Sequence, residues 1–131
     1  MMTAEQAVRA RAIRLLTDDA LLAGRVHGVF DGSPPRASAP YVAAGPAEGS
    51  DWGTKDMAGR EVRLTLTLHG VGSSLDDGAA ARIEAVVPML RGAADGWTIL
   101  SARMIRTRFA FNREGGWRQD HVMRCRCLSA A

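Results

Sequence analysis

Lysine is almost missing from this chain: Lys55 stands alone against sixteen arginines. Cysteine is scarce too, and Cys125 and Cys127 together exclude a disulfide framework. One residue apart, they would share a side of a strand, where a mutual bridge is strained. They read instead as small hydrophobes on a core-facing strand. No apolar run approaches the ~20 residues that cross a membrane, and the first residues lack the basic segment and apolar stretch of a signal peptide. The sequence therefore predicts a cytoplasmic protein with no membrane contact. At 131 residues, 47% of them hydrophobic and 24% charged, it fits one domain, residues 1–131, with a modest core.

Signatures of chemistry are missing as well. His27, His69 and His121 are far apart and share no ligand spacing, and no Cys-x-x-Cys accompanies them, so neither a metal nor a cofactor is expected. His69 falls on the polar phase of a strand and reads as a surface residue. Gly70-Val71-Gly72 is not followed by the Lys-Ser/Thr of a phosphate loop, and Ser73-Ser74 sits in no nucleophile elbow. Asp76-Asp77 has a sufficient role at a helix start. Lys55 lies in a polar segment, a poor place for a desolvated nucleophile. These absences point away from an enzyme.

What is present is a sequence of regular elements. Thr3 and Gln6 form a capping box ahead of a helix whose apolar stripe is Ala4, Val8, Ala12, Leu15 and Leu16. A helical turn over 18–23 ends at Gly24, a brief strand follows over 26–30, and Pro40 to Gly45 reads as another. From Pro46 to Arg60 the composition turns to Gly, Asp, Ser, Lys and Glu, which predicts a long, mobile hairpin loop. Trp52 is either an exposed interface anchor on that loop or a cover over the core edge.

The clearest signal runs from Glu61 to His69. Val62, Leu64, Leu66 and Leu68 alternate with Arg63, Thr65, Thr67 and His69, the period of a half-buried strand. Ser74-x-x-Asp77 offers a second capping box for a helix faced by Ala79, Ala80, Ile83, Val86, Val87 and Leu90. Pro88 should kink or end it. Strands over 98–111 and 117–128 close the chain, reversed at Asn112 to Gly116. The expected fold is α+β: a mostly antiparallel sheet of about four strands, two main helices on one face and a long hairpin loop. Its open edges and second face suit self-association.

Charge is unevenly spread. Residues 103–131 carry seven arginines against Glu114 and Asp120, a local +5 within a net charge of +3. Such a region is a solvated sheet face, a contact for an acidic protein surface, or a nucleic-acid contact.

The ordered segments resemble one family nearly end to end. They are Leu15-Leu16-Thr17-Asp18-Asp19-Ala20-Leu21, Gly24-Arg25-Val26, Val29-Phe30-Asp31, Pro34-Pro35, Ala39-Pro40-Tyr41-Val42, Asp51-Trp52-Gly53-Thr54-Lys55, the strand Glu61 to Leu68, and Arg106, Arg108 and Phe109 before the last turn. The family is the small tail terminator, or tail-completion, proteins of long-tailed phages, prophages and gene transfer agents. The resemblance implies a structural protein, not an enzyme, that forms a homo-oligomeric, hexameric ring. The ring would cap the tail tube protein and join the head–tail stopper or connector, with DNA crossing its channel without sequence-specific binding. It implies assembly in the bacterial cytoplasm and a final place at the head–tail junction of the particle. It assigns Trp52 and Lys55 to contacts between rings, and Arg63, Thr65 and Thr67 to a neighbouring subunit or the channel. The alternatives are another connector component (a stopper or adaptor) or a small nucleic-acid-binding module.

Overall fold

A computed structural model describes residues 2–34 and 36–130. Helix α1 (Ala4–Asp18) opens with the expected capping box: Thr3 Oγ1 accepts from Gln6 N at 3.2 Å and Gln6 Oε1 accepts from Thr3 N at 3.0 Å. Its buried stripe is Ala4, Ala7, Val8, Ala12 and Leu16. Helix α2 (Ala20–Ala23) starts at Asp19, whose carboxylate accepts from Leu22 N and also takes the Arg82 guanidinium at 2.7 and 3.3 Å. One side chain thus caps α2 and ties it to helix α3 (Asp77–Val86). That arginine fork, and then the Leu22 N–H, hold the Asp19 carboxyl below its usual pKa.

The expected cap at Ser74 is displaced. Asp76 is the N-cap of α3, accepting from Ala79 N at 3.1 Å while Arg25 holds the same oxygen at 2.8 Å. A carboxylate fixed by a guanidinium at the positive end of a helix outcompetes a serine hydroxyl there. Helix α3 ends at Val86, and Pro88 sits in a 3₁₀ turn, Val87–Leu90, as its missing N–H requires. Arg11 of α1 reaches this turn and donates to the carbonyls of Leu90 (2.8 Å), Met89 (3.0 Å) and Arg91 (3.0 Å). Those are the orphan acceptors that a helical end leaves behind.

The sheet has six strands rather than about four, in the order β1-β2-β3-β6-β5-β4. They are β1 (Val29–Asp31), β2 (Tyr41–Asp51), β3 (Gly59–Gly70), β4 (Gly92–Ala94), β5 (Trp97–Phe111) and β6 (Trp117–Ser129). Only β1 and β2 run parallel. Strand β4 lies between the helix and the strand over 98–111 expected from the sequence, where no element is anticipated. Asp95 (φ 47°) and Gly96 (φ 91°) turn it tightly into β5, a geometry that favours two-residue hairpins.

The long loop from Pro46 to Arg60 is mostly strand. Strand β2 continues to Asp51, its register with β3 shifting between Ala44 and Ala47, so that the interruption falls on Gly45-Pro46. Pairing with the strongly alternating β3 overrides the weak strand preference of Ala47 to Asp51. The connection that remains is 52–58. At Gly49 a Cβ would strike the Glu5 carboxylate, which bonds Arg60, so the residue that looked like loop composition is instead a close approach of α1 to the sheet.

All helices lie on one face of the sheet. Val42, Ala44, Val62, Leu64, Leu66, Leu68, Met123, Cys125 and Cys127 meet Val8, Ala12, Leu16, Ile83 and Val86 in one buried cluster. Each large apolar side chain there contributes about 1.5–3 kcal/mol. The two thiols are free and buried, and burial pushes Cys125 up to about 12 and Cys127 up to about 11. At the far end, the Trp117 indole lies where any Cβ on Gly70 would sit, and its Nε1 donates to Val71 O at 3.0 Å.

Candidate assembly surface

The face without helices carries the charge. Register sets Glu48, Arg63, Arg124 and Arg103 side by side in one row across β2, β3, β6 and β5. Flanking rows place Glu61 beside Arg126, Thr65 beside Val122 with Arg106 beyond it, and Thr67 beside Asp120 with Arg108 beyond it. Like charges directly opposite on neighbouring strands are unfavourable by some tenths of a kcal/mol each. Only two ion pairs relieve the rows, Arg126–Glu61 at 3.3 Å and Arg63–Glu61 at 3.9 Å, among the described residues. Arg103, Arg106 and Arg124 form none there. A face of this kind attracts anionic groups, whether carboxylates or phosphates.

The face is concave near its middle. Pro46 and Glu48 from one side and Ile105 and Arg106 from the other line a groove of about 340 Å³ with Arg63 and Thr65 at its floor. Of the residues singled out in the sequence, Arg63, Thr65 and Thr67 therefore belong to this one face. Arg63 is exposed and Thr65 half-buried. Thr67 is committed internally, since its Oγ1 donates to Asp120 Oδ1 at 2.8 Å.

Trp52 and Lys55 lie in the connection between β2 and β3. Lys55 is exposed at its tip. Trp52 is half-buried, and the Arg126 guanidinium stands 5.6 Å from its ring centroid. Arg126 thereby links the loop to the charged face.

His69 also lies on this face, stacked on Tyr41 at 4.5 Å, and burial, then Arg118, lowers its pKa. His121 is the residue the sequence reading missed. It is 1% exposed on the core side of β6, both ring nitrogens are without a partner, and burial lowers its pKa to about 4. Its parity with Met123, Cys125 and Cys127 was the available signal. Among the described residues no cluster of His, Cys, Asp or Glu is suited to a metal, and no helix is long and apolar enough to cross a membrane.

A family model described as tail completion protein gp17 matches residues 6–126. No curated protein matches the sequence. Among solved structures, a chain in the virion of a native gene transfer agent (GTA) particle superposes with a TM-score of 0.83 at 23% identity, covering 98% of this chain and 100% of that one. At that identity the likeness establishes a shared fold.

Proposed function

The chain belongs to the tail completion protein gp17 family, and from that premise we propose that it is a structural assembly protein whose copies close into a hexameric ring. The ring ends the tail tube and joins it to the head connector, and DNA crosses its channel without sequence-specific contacts. The observation that carries this reading is the family match over 6–126, which spans every element from α1 to most of β6. The arrangement supports it. Helices on one face and a concave, arginine-bearing face on the other suit a wall whose bulk lies outside and whose inner surface meets the channel. Arg63 and Thr65 belong to that inner surface, Thr67 steadies it through Asp120, and Lys55 with the Trp52–Arg126 stack projects toward the adjoining ring. Copies assemble in the host cytoplasm and remain at the head–tail junction.

Size exclusion with light scattering, followed by negative-stain imaging with and without tail tubes, tests the reading. A six-fold ring capping tube ends is expected. A ring found only on the head side would make the protein a stopper or adaptor instead. A monomer that ignores tubes and binds DNA, with a salt slope near the number of phosphates contacted, would replace the reading by a nucleic-acid module. Lys55→Glu should weaken tube capping; unchanged capping would remove the loop from the contact.

A further inference from the structure

The sheet ends in two open edges that match in height and charge. Strand β4 covers β5 only at Trp97–Ile99, and β1 covers β2 only at Val42–Ala44. Among the described residues no strand pairs with the outer side of β5 from Leu100 onward or of β2 beyond Ala44. Unpaired edges of this length are templates for another strand. Strand β5 carries Arg103, Arg106 and Arg108 and exposes Leu100, Ile105, Phe109 and Phe111. Strand β2 carries Glu48 and Asp51 and no base. The row Glu48–Arg63–Arg124–Arg103 has its acid at one edge and an arginine at the other.

Resting on the ring reading above, we propose that the β5 edge, Leu100–Met104, pairs with the β2 edge, Ala47–Asp51, of the next copy, placing Arg103 against the partner's Glu48. Three successive antiparallel pairings make β2 and β5 run in opposite directions. Rotation about a ring axis preserves each strand's sense along that axis, so the joint is antiparallel. It joins two different edges, the heterologous contact that closes rings. Pro46 has no N–H, and Arg9 already takes the Gly45 carbonyl at 2.9 Å, so pairing begins at Ala47. The register shift between Met104 and Arg106 falls where β5 must turn aside to pass the partner's β1.

Glu48→Arg and Arg103→Glu each change an exposed side chain, so circular dichroism should show an unaltered monomer fold. Each alone should weaken ring formation at least tenfold by light scattering, and the double exchange should restore it. In a separate chain bearing Glu48→Cys and Arg103→Cys, oxidation should give a ladder of linked copies on a denaturing gel, since Cys125 and Cys127 are buried. A wild-type ring with no ladder, or single variants that still form rings, would overturn this joint and leave the ring standing. A wild-type chain that never forms a ring, even with tail tubes, would sink the ring reading and the joint with it.

Discussion

Replacing His121 by methionine should change how stability responds to acid far more than it changes stability at neutral pH. The ring is buried with no partner for either nitrogen, so the folded state holds it neutral and its pKa falls from 6.5 to about 4. The sign follows from proton counting. As pH drops below 6.5 the unfolded chain binds a proton that the folded chain refuses, so stability is lost from about pH 6.5 down to about pH 4. At about 1.4 kcal/mol per unit, the shift corresponds to about 3 kcal/mol lost between pH 7 and pH 4. Methionine has similar bulk and no titrating group, so its variant should lack most of that decline. Urea unfolding at half-unit steps of pH measures it. His69 declines in the same direction in both proteins and cancels in the comparison, while Asp19, with its carboxyl lowered, loses its contribution only below pH 3.8. Parallel pH profiles for the two proteins would refute the reasoning.

Arg11→Ala removes a side chain that satisfies three carbonyls of the 3₁₀ turn and should lower stability by about 1–3 kcal/mol, read as a lower denaturant midpoint. Leu66→Ala, in the centre of the core at 1% exposure, should cost about 2–5 kcal/mol by the same measurement. Both thiols should resist iodoacetamide in the native protein and react once urea unfolds it, because burial holds them as thiols well above neutral pH; mass spectrometry follows the added groups.

The sequence was most legible where one physical signal had no competitor. Val62 to Leu68 alternates without interruption, Thr3 and Gln6 sit at capping spacing, and Gly115-Gly116 marks a reversal between two long strands. Legibility failed where composition and context disagreed. Pro46 and Gly49 look like loop, yet a bulge absorbs the proline and an approaching helix needs the glycine. Asp76 displaced Ser74 as a cap because Arg25, far away in sequence, fixes it. The charged face was half visible: Arg63, Thr65 and Thr67 showed their parity, but only strand order aligns Arg63 with Arg124 and Arg103. Nothing local indicated that Thr67 was bound to Asp120 or that Trp52 lay against Arg126.

The Gly70–Trp117 contact constrains the order in which substitutions at those sites can accumulate. The indole occupies the volume that any side chain at position 70 would need. A larger residue at 70 is therefore excluded while the tryptophan remains, yet becomes tolerable once position 117 has shrunk. The reverse path opens with a cavity instead of a collision, and a protein with stability to spare survives a cavity more readily. Descendants of this chain that have lost the glycine should have passed through a smaller residue at 117 first. In such a lineage the two positions would be bound together by the sequence of events as well as by contact.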